Sequence, residues 1–483
     1  MRRSNTFRFS VLVLCLVGSS RTQGAEPDLR DDASRALKRA ATFFREKVAR
    51  HGGYVYFVGL DLQQRWGEGK AGPDTIFVQP PATPTVGMAF LDAYDATGDR
   101  YYLDAAREAA LALVYGQLES GGWTQTIDFG AEPTRRTGKY RNGKGGEWNA
   151  SSLDDGQTQS ALQMLARADR ALKFQDAAIH EAALYGYNAL LGAQFANGAF
   201  PQVWRRPARP APVVRARYPD YDWRVEGRIK EYWDCYTLND GLAGTVADAL
   251  IVAHEVYGDA RYRAALEKLG DFLVLAQMPD PQPAWCQQYN EAMIPVWARK
   301  FEPPAVSGWE SQDAMKTLIK IARYTGEKKY LKPIPAALAY LKGCVLPDGR
   351  LARYYELKTN KPLYMDSAYR LTYDDSDAPA HYGWKQSSGL DAIERDRRDA
   401  EAGVDRDRSR PADAPEEDVR RIVRDLDDQG RWVGVYKAGE RLEGQPKFAD
   451  EFRFLSSAVF SRNVATLGAY LARSGRNQDR DQK

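Results

Sequence analysis

Apolar side chains recur at helical spacing over most of the chain. Between Ser34 and Arg50 they fall at Ala36, Leu37, Ala40, Phe43, Phe44 and Val48, one face of a 3.6-residue helix. Thr85 to Thr97 and Tyr101 to Gln117 repeat the pattern on either side of Gly98, which predicts a helical hairpin. The junction then recurs. Thr97-Gly-Asp-Arg-Tyr-Tyr102, Tyr257-Gly-Asp-Ala-Arg-Tyr262 and Thr325-Gly-Glu-Lys-Lys-Tyr330 share one order, and Lys173-Phe-Gln-Asp-Ala177 is a degenerate copy. In each full copy a glycine stops one helix, an acid stands at the next N-terminus, and an aromatic restarts the apolar face. Helix pairs repeated at roughly 70 to 85 residues predict an all-α fold of stacked hairpins. The loops between them are long and rich in Gly and Trp, like the mouth of a cavity. They favour an α/α toroid, with the loops lining one end, over an open solenoid.

The loops echo one another as well. Ser120-Gly-Gly-Trp-Thr-Gln125 is followed by Leu153-Asp-Asp-Gly-Gln-Thr158 and a helix; Asn197-Gly-Ala-Phe-Pro-Gln202 is followed by Leu238-Asn-Asp-Gly-Leu242 and a helix. Asp154, Asp155, Asn239 and Asp240 therefore precede helices, where Asp and Asn cap free N–H groups. Capping is the first reading of Asp154; Asp240 is assigned to the cavity.

The pattern also sets boundaries. Residues 1–24 read as a signal peptide: Arg2, Arg3 and Arg8, then the apolar run Phe9 to Val17, then small residues. Residues 25–385 form the main body of the toroid. Residues 386–418 carry Arg-Asp repeats, Pro411 and Pro415 and read as a charged flexible insertion. Residues 419–473 return to helical periodicity, with Phe454 to Leu471 as the last helix, and 474–483 read as a disordered tail.

Composition narrows the function. Removing the four arginines of residues 1–24 takes the formal net charge from +3 to −1, which argues against nucleic acid as partner. No membrane contact is expected after signal cleavage, and the chain is expected to be a secreted monomer, periplasmic or extracellular. Cys235, Cys286 and Cys344 remain after cleavage and allow at most one bridge. The four histidines are scattered, so a zinc site is not expected. The densest chemistry lies in residues 350–365, where Arg350, Arg353, Lys358 and Lys361 alternate with Tyr354, Tyr355 and Tyr364. Arg353 and Tyr355 share parity, so an extended chain would present both on one face. Guanidinium forks and flat rings suit an anionic sugar, and the same mixture also suits a solvated surface hairpin.

Several motifs then fall in one order: Gly122-Trp-Thr-Gln, Asp155-Gly-Gln-Thr, Phe200-Pro-Gln, Leu238-Asn-Asp, Trp285-Cys-Gln-Gln-Tyr-Asn-Glu, Trp297-Ala-Arg-Lys-Phe-Glu-Pro-Pro, Ser307-Gly-Trp-Glu-Ser311 and Arg353-Tyr-Tyr-Glu-Leu-Lys-Thr-Asn-Lys-Pro-Leu-Tyr364. Over roughly residues 30 to 385 the chain thereby resembles the family 10 pectate lyases. The resemblance implies cleavage of polygalacturonate, an anionic uronic-acid polysaccharide, by β-elimination with calcium assisting. It places the catalytic base at Arg353 and substrate contacts at Asn239, Trp285, Tyr289, Arg299, Tyr355, Lys358 and Lys361. The calcium ligands it implies are Asp240, Asn290 and, more weakly, Asp155. Asn290 stands where the family has aspartate, which removes a charge and weakens the expected calcium site; Glu291 is one residue displaced. Around Tyr373 the chain offers Arg370 and Lys385 where further arginines are expected, and Lys300 is another candidate contact. Two other classes fit the same toroid: a glycoside hydrolase using Asp155 and Asp240 as a carboxylate pair, and an inactive pectin-binding homologue. A terpenoid-cyclase toroid is disfavoured by the polar, cationic loops.

Overall fold

The computed structural model describes residues 28–130, 132, 134–225, 229–404, 415–444 and 446–481, with side chains to residue 473. Twelve α-helices run through these residues: α1 (Leu29–Phe43), α2 (Thr83–Thr97), α3 (Arg100–Tyr115), α4 (Gln157–Ala171), α5 (Ala177–Ala193), α6 (Leu242–Tyr257), α7 (Ala260–Ala276), α8 (Gly308–Thr325), α9 (Ile334–Lys342), α10 (Leu390–Glu401), α11 (Glu416–Arg424) and α12 (Ser457–Asp481). They pack as hairpins α2/α3, α4/α5, α6/α7 and α8/α9. The first helix of each hairpin packs on the first helix of the next, so α2, α4, α6 and α8 form an inner row, and α12 extends that row by packing on α2. This is the α/α toroid of helical hairpins that the repeat predicts.

The junctions explain the hairpins. Gly98, Gly258 and Gly326 end α2, α6 and α8 with φ of 70°, 67° and 79°, a left-handed conformation that glycine adopts without a Cβ clash. Asp99 and Asp259 then accept from the second N–H of α3 and α7, at 2.9 Å each. Tyr102, Tyr262 and Tyr330 are buried and restart the core face. The first and last helices of the chain meet: α1 packs on α12, and the Phe44 ring stacks on Phe460 with centroids 3.8 Å apart.

Residues 386–418 differ from the expectation of a flexible insertion. Their first part completes a strand (Lys385–Ser387) and forms α10, packed on α8 and α9; α11 packs on α1 and α12. Both are amphipathic on a minimal apolar set, Leu390 and Ile393 in one, Val419 and Ile422 in the other, all buried. So few apolar positions among so many charges are why composition alone concealed the helices. Residues 405–414 and the signal-peptide stretch lie outside the described residues. The backbone of 474–481, expected as a disordered tail, continues α12.

Short antiparallel strands, not predicted from the sequence, tie the loops together. The segment before each inner helix pairs with the segment after the following outer helix: Thr75–Phe77 with Thr126–Asp128, Ser151–Ser152 with Val203–Trp204, Tyr236–Thr237 with Gln288–Tyr289, and Ala305–Ser307 with Tyr354–Glu356. This lattice gathers the N-termini of α4, α6 and α8 at one end of the toroid. No helix among the described residues is long and apolar enough to cross a membrane.

Candidate active site

The first two elements of the site are twin turns. Asp154–Gly156 and Asn239–Gly241 are single 3-10 turns that lead directly into α4 and α6 and pack against each other. Asp155 (φ 44°) and Asp240 (φ 53°) are left-handed, and each is followed by a left-handed glycine. Asp and Asn tolerate that region better than most residues. The turns bring carboxylate oxygens of Asp154, Asp155 and Asp240 within 4.8 Å of one another. Helix N-termini favour negative charge, yet three carboxylates this close repel one another more strongly. Burial, with Asp154 and then Glu68 beside it, pushes Asp155 up to about 6. Burial and the charges of Asp154 and Asp155 hold Asp240 well above the usual carboxylate range, and burial raises Asp154.

Arg353 meets this cluster from the opposite side. It sits at a bend between the strands Arg350–Ala352 and Tyr354–Glu356, fixed by its own backbone: its N–H donates to Trp384 O (2.8 Å) and its carbonyl accepts from Gly308 N (3.0 Å). Only 9% of the residue is exposed. Its Nη2 donates to Glu310 Oε1 (2.8 Å) and Asn239 Oδ1 (3.3 Å), and stands 3.9 Å from Asp240 Oδ1. Nε is buried without a partner, and Nη1 has no hydrogen-bond partner among the described residues. Burial would lower the pKa of Arg353, but the charge of Glu310, with Tyr354, Tyr382 and Asp240, outweighs it and holds the guanidinium charged. Glu310 is itself fully buried in the first turn of α8, where Ser307 caps the helix and donates its hydroxyl to Glu310. Ser307 and Glu310 have capping-box spacing, but Glu310 turns to the arginine.

A second cation lies nearby. Arg299 makes a bidentate pair with the buried Glu302 (2.5 and 2.8 Å). The Tyr382 ring stands between the two guanidinium groups, 4.9 Å from Arg353 Cζ and 6.0 Å from Arg299 Cζ, and its hydroxyl donates to Glu302. Trp309, 46% exposed, presents its ring 6.0 Å from Arg353 Cζ.

Of the residues singled out in the sequence, the structure brings together Arg353, Asn239, Asp240, Asp155 and Arg299. Others stand elsewhere. Trp285 is fully buried and donates its indole N–H to Leu273 O (2.7 Å). Tyr289 is equally buried, its hydroxyl donating to Ala276 O and accepting from Cys286 N. Both are core residues, not sugar platforms. Tyr355 is buried too, and its hydroxyl donates to Cys344 O (2.8 Å); the bend at Arg353 breaks the parity that would have paired them. Lys358 and Lys361 are exposed and lie over the rings of Tyr218 and Tyr373, with no contact to Arg353. The carbonyl of Asn290 is occupied by the N–H groups of Ala292 and Ile294, so it shapes a turn. Glu310, Glu302, Tyr382 and Trp309 were not singled out, although Glu302, Trp309 and Glu310 lie within quoted motifs. Cys235, Cys286 and Cys344, the cysteines of the described residues, are free.

The three aspartates fit the calcium that the resemblance implies. Their donors are all hard oxygens. No Lys or Arg forms an ion pair with Asp154 or Asp155 among the described residues, and all three carboxyls are raised, chiefly by burial.

Comparison with known proteins shows what this stretch is similar to. The family model described as pectic acid lyase matches residues 117–350, a stretch that holds both twin turns, Arg299 and Glu310 and ends three residues before Arg353. The resemblance to polysaccharide lyases that the motifs imply is thus present in the chain. Among solved structures, an aspartate-to-alanine variant of the family 10 polysaccharide lyase from Cellvibrio cellulosa, in complex with trigalacturonic acid, is 20% identical. It has a TM-score of 0.45 and covers 63% of this chain and 96% of that one. The cellobiose 2-epimerase from Bacillus thermoamylovorans is 13% identical with a TM-score of 0.43, covering 92% and 99%. No curated protein matches.

Proposed function

We propose that this protein is a secreted lyase that cleaves a uronic-acid polysaccharide, foremost pectate, by β-elimination, with Arg353 as the base and calcium assisting. The observation that carries this reading is the convergence of one buried arginine and three aspartates at the same end of the toroid. The family-model match supports it.

Elimination breaks the C5–H bond, forms the C4=C5 double bond and expels the C4 oxygen, which takes up a proton. The hydrogen at C5 is weakly acidic because it lies α to a carboxylate, so the site must supply positive charge there. Arg299 stands near enough to contribute it. Bound by Asp154, Asp155 and Asp240, calcium would neutralise those carboxylates and polarise the substrate carboxylate. Nη1 of Arg353 is the atom free to reach the C5 hydrogen. Glu310 holds the resting guanidinium charged, so the proton-accepting form is a minor species whose share grows with pH. Trp309 offers a ring for a sugar face. The signal-like N-terminus supports action outside the cytoplasm.

A hydrolase reading fits less well. Glycosidase carboxylates flank the scissile bond about 5–9.5 Å apart, whereas the oxygens here converge within 4.8 Å on one point. The test is absorbance of the unsaturated product during incubation with polygalacturonate, with calcium and then with chelator. A rise that chelator stops is expected. Reducing ends without absorbance would mark a hydrolase, and a rise indifferent to chelator would remove the metal from the reading.

A further inference from the structure

The strand pair that delivers Asp154 continues into a basic corner. Ser151–Ser152 pairs with Val203–Trp204, and Leu153 N–H, next to Asp154, donates to Gln202 O (2.8 Å). Arg205 and Arg206 follow Trp204 directly. Arg205 is thus at most about 11 Å of extended chain from Gln202. Trp148 approaches from the other strand, just before Ser151. It is 44% exposed, and Arg205 Cζ stands 5.6 Å from its ring centre. Its backbone is fixed: Trp148 N–H donates to Thr137 O (3.2 Å), and its carbonyl accepts from Lys139 N (2.8 Å). A cavity of about 330 Å³ opens at this corner, with Trp204, Arg205, Arg206, Arg209 and Asp234 in its lining. Arg209 is committed to Glu291 (2.9 Å). Arg205 and Arg206 are exposed and form no ion pair among the described residues, and Asp234 is the single carboxylate in the lining.

Two guanidinium forks without acids of their own can each grip a carboxylate, and an exposed indole offers a flat face to a sugar. The corner adjoins the α4 side of the aspartate cluster, whereas Arg353 contacts the α6 side through Asn239 and Asp240. Resting on the lyase reading, we propose that Arg205 and Arg206, with Trp148 as platform, form a remote subsite for a second uronate of the same polysaccharide chain. A chain held at both points gains from the high effective concentration of its second charged unit, so long de-esterified stretches are favoured over short oligomers. The subsite touches no reacting atom. It lowers KM for the polymer and leaves kcat alone.

The test measures initial rates on polygalacturonate and on trigalacturonate, with calcium and at one ionic strength. R205Q/R206Q should raise KM for the polymer by about tenfold or more, the loss of charge-assisted hydrogen bonds. Its kcat should hold, and KM for the trimer should move by less than about twofold. W148A should raise the polymer KM by about threefold, and W148F should restore it. R420Q/R421Q removes the same charge from α11 and should leave both constants in place. A polymer KM moved by less than about twofold in R205Q/R206Q would overturn the proposal. So would an equal rise on both substrates, or an equal rise in R420Q/R421Q. Absence of product from both substrates with wild type would instead overturn the lyase reading. Calorimetric binding of polygalacturonate then decides the subsite: binding weakened about tenfold in R205Q/R206Q upholds it, and unchanged binding ends it.

Discussion

The turn before α4 and the turn before α6 are one backbone device carrying different chemistry. Both place a left-handed aspartate and a left-handed glycine at the mouth of an inner helix. They differ at the first residue. Asp154 adds a third carboxylate to the cluster. Asn239, its counterpart, is neutral: its amide donates to Asp240 and its carbonyl accepts from Arg353. One substitution within a repeated hairpin thus divides a duplicated scaffold into an ion-holding side and a side that couples aspartate to arginine. The hairpin repeat supplies positions twice over, and the difference between copies supplies function.

The largest effect should come from cutting the coupled side at its end. R353A is expected to lower turnover by about 10³ or more while changing trigalacturonate binding, read by calorimetry, by no more than about 1–2 kcal/mol. Loss of binding in step with turnover would reduce Arg353 to a substrate contact. In wild type, kcat/KM should climb steadily with pH into the alkaline range, because Glu310 keeps the base protonated; a flat alkaline profile would leave Arg353 as a cation and remove it as base.

Exchanging the first residues of the two turns tests the division itself. D154N makes the first turn resemble the second and should weaken calcium binding by about tenfold, with turnover largely restored at saturating calcium. N239D places a carboxylate against Asp240 and Arg353 and should lower kcat by about tenfold without weakening calcium. Equal changes in both variants would show that the turns are not specialised.

A smaller effect concerns stability without metal. Asp155 is raised to about 6 in the folded chain, above an unfolded carboxyl near 3.9. The folded state therefore binds the extra proton between about pH 4 and 6, and stability falls as pH rises through that window. D155N should remove this loss and raise the apparent melting temperature at pH 7 by about 1–2 °C with chelator; the gain should shrink below pH 4 and vanish or reverse with calcium. The smallest effect is expected from Y355F. It removes a hydroxyl bonded to Cys344 O and should cost about 1 kcal/mol of stability with KM unchanged. A raised KM would return Tyr355 to the cleft.

The fold was legible because glycine, an acid and an aromatic recur at hairpin junctions, each with a conformational reason. The strand lattice was not, since strands of two to four residues carry too little alternation to read. In the site, more of the polar residues than of the aromatics stand together. Asn239, Asp240, Asp155 and Arg353 belong to motifs whose chemistry needs a cavity. Trp285, Tyr289 and Tyr355 offer the same surface to a core as to a sugar, and only packing decides which. Residues 386–418 were misread for a related reason: two apolar side chains among many charges, Leu390 and Ile393, suffice to dock a helix.

The toroid has a consequence for how the molecule is made. In it the first helix meets the last, with Phe44 against Phe460 and Arg30 bonded to Leu471 O. Middle hairpins are local in sequence and can form as they emerge, but the closing contact waits for nearly the whole polypeptide. Until then the chain is an open arc with the apolar flank of α2 uncovered. The final segment acts as a latch, and its arrival, more than any hairpin, is the step at which a nascent chain becomes a finished vessel.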